Sequence, residues 1–482
     1  MKEREAQGSR AERQQGLLRS VQRSFAEFLL LPTLVIVGFI VLAVVSFILD
    51  KADIGGLGAF RETMTKLVFG SADATGSLLA TLAASLITLT SITFSVLLLA
   101  VQQAAASMTS QVVDQFLRRR LNQLFFGSFL GLAIYCLIVL STAHPGYNPV
   151  IGGTIALLLS FGVLYGLILL IYLTVNQIRP ANIVEMIHDR TLRARLVQRR
   201  EITSRTRRSA RTEGGAPVSV TATESGLLTG VDLDVLAQAA GAARDGRGGG
   251  GEIGEVVLYP SMGTSISYGD VVAQVWPGSG RSADDVERTV RRALTVGSIR
   301  DLDRDPGYGV QQLVDIGWTT ISTSKQNPAP GKQSIAALRD LLARWADEGA
   351  DADSDAADDE RVLPVVYHDT APNEVLNALE LMAVVSTESL QVPAFVDVVR
   401  AIAVLFDRLP PELQSRSEDV VLRILSGMAD HLMTAPLESE LFALSDVLRG
   451  AGRIETAAAV DRARVALAKS VGSLHSRADR GV

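Results

Sequence analysis

A single cysteine, Cys136, occurs in the 482 residues, and it sits inside an apolar run. That count excludes a disulfide framework and a thiolate metal site. Histidine is almost as scarce. His144, His188, His368, His431 and His475 are scattered without ligand-like spacing, so a zinc site has almost nothing to be built from. Aromatic residues make up 5% of the chain, and none interleave with its arginines to stack bases, so nucleic acid is not an expected partner. No nucleophile–base pair, carboxylate dyad or metal cluster can be assembled from the motifs. The chain therefore reads as a non-enzyme, with no cofactor and no metal.

Charge is missing altogether from four long stretches, 29–49, 78–101, 121–142 and 150–174. A bilayer core of roughly 30 Å is crossed by about 20 apolar residues in a helix, so each stretch predicts a membrane span. The first run is too long for a cleavable signal and has no small-residue cleavage motif after it. Basic residues set the direction. Residues 1–28 hold six Lys or Arg, Arg118-Arg119-Arg120 follow the second span, and Arg190 to Arg211 contain nine Arg against one acid. The TAHPGYNPV loop between spans three and four has no basic residue. All three basic places then face the cytoplasm, which predicts a multi-pass inner-membrane protein with both termini cytoplasmic. Arg118, Arg119, Arg120, Arg190, Arg193, Arg195, Arg199 and Arg200 are also candidate contacts for anionic lipid. The plainer reading is that these charges fix topology and solvate a linker.

The second span carries hydroxyls and an amide at spacings of three, four or seven: Thr81, Ser85, Thr88, Ser91, Ser95 and Gln102. That period puts them along one helix face. Such a ladder either packs against another helix or lines a water-filled path between subunits. No Pro or Gly interrupts Ser77 to Phe126. At 1.5 Å per residue, a helix from Leu78 to Arg120 would be about 60 Å long, twice the bilayer core. The helix should therefore leave the membrane intact. It would turn near Arg118–Asn122, or bend earlier near Ser107–Ser110.

Beyond a basic linker at 176–217, residues 218–346 read as a small α/β domain. VSVTATESGLLTGVD and EVVLYPSMGTSISYGDVVAQVWPG alternate as short strands. VDLDVLAQAA and SADDVERTVRRALTVG read as helices, the first started by Asp232 or Asp234 and the second by Ser282. Gly331-Lys332-Gln333-Ser334 lacks the upstream glycine of a phosphate-binding loop, and Pro328 and Pro330 remove amides from it. His368-Asp369 reads as a solvated turn. DEGADADSDAADDE, at 347–360, is acidic and small-residue rich, which predicts a disordered linker. From 361 to 482, a short VLPVVY strand is followed by five segments with apolar residues at three and four, a helical bundle.

ITFSVLLLAVQQAAASMTSQVVDQFLRRR together with DRDPGYGVQQLVDIG resembles a bacterial family of predicted membrane proteins, domain of unknown function 2254. The resemblance covers most of residues 25–345 and, loosely, the tail. It implies four N-terminal spans and a soluble C-terminal region, and it marks Asp305, Gly309, Gln312 and Asp315 as motif positions without an assigned role. The family pattern continues as a Ser-Pro-Gly-x-Asn-Asp-Pro loop. Here only Ser322 and Pro328 match in place, and Asn327 stands where the family has Asp.

These readings combine into a membrane α-helical protein with four transmembrane helices, a cytoplasmic α/β small domain and a C-terminal α-helical bundle. The expected role is a homo-oligomeric channel or channel-like conduit with a cytoplasmic assembly and gating domain. The alternative is a membrane-anchored scaffold or sensor that recruits a cytoplasmic protein partner.

Overall fold

The computed structural model describes residues 29–51, 55–107, 120–177, 180–210, 216–239, 253–277, 283–322, 327–355, 362–428 and 431–470. The chain divides into two units, Met1–Arg179 and Pro180–Val482. The expected basic N-terminal segment, 1–28, lies outside the described residues.

The described part of the first unit is helical. In chain order it runs α1 (Leu29–Lys51), α2 (Gly55–Met64), a wide helical turn (Thr65–Phe69), α3 (Ala72–Ser107), α4 (Arg120–Thr142) and α5 (Val150–Gln177). Four of these helices are long and apolar enough to cross a membrane, over Leu29–Lys51, Ala72–Ser95, Gln123–Thr142 and Val150–Tyr172. Each predicted span has its helix. The second begins six residues earlier than its apolar run does, because Ser71 Oγ accepts the Ala74 N–H at 3.2 Å and caps the start. α3 then continues for 36 residues to Ser107, leaving the apolar stretch as one helix. The region of the expected turn falls largely on residues 108–119, outside the described ones.

α4 is the hub, with α3 and α5 packed along it. Its face carries Phe129, Leu132, Ala133, Cys136 and Val139, all buried against Leu79, Ala83 and Leu86 of α3 and Ala156 of α5. Gly127 and Gly131, four apart on α4, let α1 approach closely. A methyl at Gly127 would press on the Pro32 backbone, and one at Gly131 would run into the Phe39 ring. Small residues at this spacing are how membrane helices meet without a hydrophobic drive. Asp50, in the last turn of α1, is buried. Its two oxygens accept the Ile151 and Gly152 N–H groups at 2.9 Å each, so a carboxylate of one span satisfies the first-turn donors of another.

The second unit opens with α6 (Pro180–Gln198) and a wide helical continuation, Arg199–Thr203. Then come β1 (Val218–Thr221), β2 (Gly226–Val231), α7 (Leu233–Ala239), β3 (Ile253–Leu258), β4 (Ser265–Ile266), β5 (Val271–Pro277), α8 (Ala283–Ala293) and β6 (Leu294–Gly297). Asp232 Oδ1 accepts the Asp234 and Val235 N–H groups and so starts α7, while Ser282 lies outside the described residues. The helix read through ALTVG ends at Ala293, and LTVG turns into a strand beside β2. α9 (Pro306–Ser322), α10 (Ala329–Asp355), β7 (Val365–Tyr367), α11 (Ala371–Glu388), α12 (Val392–Leu405), α13 (Pro411–Met428), α14 (Ala435–Gly450) and α15 (Ile454–Ser470) complete the unit. The five helices read from the tail are α11 to α15. Three of them begin at prolines predicted as punctuation, Pro393, Pro411 and Pro436, since Pro fits a first turn that needs no N–H.

One sheet has the order β1-β5-β3-β7 and the other β4-β2-β6. They share a core with α7 and α8 that includes Val220, Leu228, Leu236, Val256, Val275 and Val290. From Pro180 on, the stretches read as linker, α/β domain and bundle fall together in one unit, Pro180–Val482. β7 pairs in parallel with β3, placing Val366 against Val257, so the tail completes the sheet of the α/β part. α9 packs on α11 and α10 on α12. Residues 180–198 form α6 rather than a linker, with Ile183, Val184, Ile187 and Ala194 buried against α9 and α10. The acidic stretch also departs from expectation. α10 extends to Asp355, and Glu348 on it is ion-paired, while 356–361 lie outside the described residues.

Candidate functional site

At about 100° per residue, the buried positions of α3 fall on one side: Thr75, Leu79, Ala83, Leu86 and Thr93. The ladder falls on the other. Thr81, Ser85, Thr88, Ser91, Ser95 and Gln102 are all exposed in the single chain. Three of the hydroxyls donate back to their own helix, Thr81 to Ser77 O (2.8 Å), Thr88 to Ala84 O (2.9 Å) and Ser95 to Ser91 O (3.0 Å). Among the described residues, the ladder is thus not part of the packing within one chain, and no other helix of the unit covers it.

The arginine run resolves into two kinds of residue. Arg195 is buried, with Nη2 2.7 Å from Asp369 Oδ2, Nε 3.3 Å from Glu348 Oε2 and Nη1 donating to Gln198 Oε1 at 2.9 Å. Burial opposes its charge, and the two carboxylates more than offset this, holding its pKa above the ordinary arginine value. Such a guanidinium is committed to the protein interior and does not reach a lipid headgroup. Arg199 lies 4.0 Å from Glu348 and Arg190 3.8 Å from Asp303. Arg120, Arg193 and Arg200 are exposed, and Arg118 and Arg119 lie outside the described residues.

Arg195 belongs to a polar cluster at the carboxyl ends of the parallel pair β3 and β7. Asp369, expected in a solvated turn, follows β7 and receives Arg195, while its neighbour His368 is exposed. Tyr367 OH lies 3.0 Å from Met262 N, whose N–H it accepts, and 3.4 Å from Gln198 Nε2. Burial pushes the Tyr367 phenol up to about 12. Thr370 Oγ1 is 2.9 Å from both Ser261 Oγ and Glu374 Oε1. Burial raises the Glu374 carboxyl, against the Thr370 hydroxyl and the Arg300 charge. Arg300 forms a two-point pair with Asp305, Nε–Oδ2 at 2.6 Å and Nη2–Oδ1 at 2.9 Å, and Asp305 Oδ1 also accepts the Tyr308 N–H at 3.1 Å. Six segments are tied together: α6, the turn after β3, the loop into α9, α10 through Glu348, the loop after β7, and α11. Chemically the cluster can hold charge in fixed pairs and take up a proton at Glu374. Among the described residues, no three His, Cys, Asp or Glu are grouped to hold a metal ion.

The model of a family described as predicted membrane proteins, domain of unknown function 2254, matches residues 26–393. The chain belongs to this family. Uncharacterized proteins of Mycobacterium bovis and Mycobacterium tuberculosis are each 25% identical to it over 287 residues, which is 57% of this chain and 53% of theirs. The chain thus matches about half the length of those curated relatives. No solved structure matches it.

The family motif supplies part of the cluster. Asp305 caps α9 and anchors Arg300. Gly309, on the buried face of α9, lies so close to α6 that an added methyl would overlap Thr191 Oγ1. Gln312 is buried with Oε1 lacking a hydrogen-bond partner among the described residues. Asp315 is partly buried, and burial raises its carboxyl. Asn327, in place of the family's Asp, still accepts the Ala329 N–H on its side-chain oxygen at 3.0 Å and leads into α10. Sequence reasoning gave Arg195 to lipid, Asp369 to a solvated turn and Glu348 to an acidic linker, and it passed over Glu374, whereas the structure brings all four into the cluster. The one available signal was Thr370 followed four residues later by Glu374 at a helix start, close to a capping-box pattern.

Proposed function

We propose that this membrane protein works as a homo-oligomeric, channel-like conduit in the bacterial inner membrane, with α3 around the axis. The C-terminal unit lies in the cytoplasm, where it assembles and gates the conduit, and both termini are on that side. The orientation of the ladder carries the reading. A helix that turns six polar side chains away from its own bundle leaves them to lipid or to another copy. Three hydroxyls donate back to their own helix, and hydrocarbon offers nothing to their remaining lone pairs or to the Gln102 amide. The mobile-charge machinery of a coupled carrier is not needed for such a path, which is lined by hydroxyls and an amide. The basic flanks support the orientation, and the mycobacterial relatives support a bacterial setting. Purified protein in planar bilayers should pass ionic current, and Ser91→Leu with Ser95→Leu should reduce it several-fold. Robust currents that persist unchanged in that double variant would overturn the proposal.

A second reading, a membrane-anchored scaffold or sensor, is favoured by exposed apolar side chains on the tail helices, among them Leu422 and Phe442. A cytoplasmic partner that co-purifies with the intact protein and is lost with Phe442→Asp would favour this role.

A further inference from the structure

Between α1 and α4 lies a cavity of about 170 Å³. Ala43, Ser46, Asp50, Val139 and Pro149 form a buried floor, and Val44, 53% exposed, stands on its rim. The walls are almost wholly carbon. Their few polar groups already have partners: Ser46 Oγ donates to Ala43 O at 2.9 Å, and the Asp50 oxygens are held by the Ile151 and Gly152 amides. The helices on both sides are membrane spans, so a rim on their flank opens toward hydrocarbon. A dry apolar recess of this kind takes a hydrocarbon chain, not water.

One end of the recess is basic. Phe47 lines it, and the exposed Lys51 places Nζ 4.3 Å from the centre of the Phe47 ring. Arg61 Nη1 donates to Asp50 O at 2.6 Å. Lys51 thus stands over the aromatic wall of the recess and Arg61 over the end of α1, while the Asp50 carboxylate, next to Lys51 in sequence, is engaged with backbone amides. The exposed Lys51 ammonium is a ready partner for an anion at the point where α1 ends. We propose that this recess binds one anionic phospholipid, its acyl chain between α1 and α4 and its phosphate beside Lys51 and Arg61. The site is separate from the ladder on α3.

The test uses the full chain in detergent and native mass spectrometry of retained lipid. Phosphatidylglycerol is competed against phosphatidylcholine of the same chains. The wild type should retain phosphatidylglycerol about five-fold better, the effect of roughly one basic residue acting on an anionic headgroup. Lys51→Gln, at an exposed position, should remove that preference. Ala43→Leu, which fills the floor, should lower retention of both lipids. Glycerol phosphate, which has the headgroup charge and no chain, should not compete. Equal retention of the two lipids by the wild type would overturn the proposal, as would an unchanged preference in Lys51→Gln. Competition by glycerol phosphate would assign the basic end to a free phosphate. Efficient disulfide formation between copies carrying Val44→Cys in a Cys136→Ser background would give the recess to a second copy instead.

Discussion

Neighbouring arginines in one basic run do different work. Arg195 is buried between Asp369 and Glu348, whereas Arg193, two residues earlier, is exposed. Removing one member of a buried pair leaves the other charge uncompensated, at a cost of roughly 3–5 kcal/mol. Surface changes stay within about 0.5 kcal/mol. Arg195→Ala should therefore lower the unfolding midpoint of the detergent-solubilised protein steeply, and Arg193→Ala should leave it in place. Equal midpoints would show that the Asp369 and Glu348 pairs contribute no net stability. Glu374 gives a pH signature. Its carboxyl is raised by burial, so the native state holds a proton that the unfolded chain has already released. Stability from this group is complete below the ordinary carboxylate value and is lost as pH rises through the raised value. Glu374→Gln should flatten that decline and be the more stable form above it, read as thermal midpoints from pH 4 to 8. A steeper decline in the variant would contradict the assignment.

At the scale of elements, the crossing of α6 and α9 is set by one close approach, Gly309 against Thr191. Overpacking such a contact costs about 1–3 kcal/mol. Gly309→Ala should lower the thermal midpoint, and adding Thr191→Ala should return most of the loss, because the methyl then occupies the vacated space. A double variant as damaged as the sum of the singles would mean the two helices do not meet there. The same crossing explains what sequence could and could not reveal. Spans α1, α3, α4 and α5 were legible because apolar length has few other meanings, and α11 to α15 because their period is strong and prolines mark their starts. α6 was not legible, since its buried stripe includes Thr191, Arg195 and Gln198, which read as polar surface until partners are known. Those partners, Glu348, Asp369 and Tyr367, lie more than 150 residues away in the chain. A buried ion pair of that separation leaves no periodic trace. Gly127 and Gly131 carried a readable small-residue spacing, and its meaning came from Pro32 and Phe39 across the α1–α4 contact.

For the whole molecule, two units carry distinct physics. The first is a four-helix membrane unit whose second span shows its polar side outward. The second is a mostly helical body in which a mixed sheet and its polar cluster lock distant segments together. The central claim is that the outward ladder meets water along an axis between copies. The most direct measurement is thiol accessibility in inside-out vesicles. It uses a Cys136→Ser background, single cysteines at Ser85, Thr88, Ser91, Ser95 and Gln102, and a membrane-impermeant reagent. The account predicts labelling at several of these depths, with the buried positions Ala83 and Leu86 protected when changed to cysteine in the same way. Labelling confined to Gln102 would contradict it and leave the ladder as a dry helix contact.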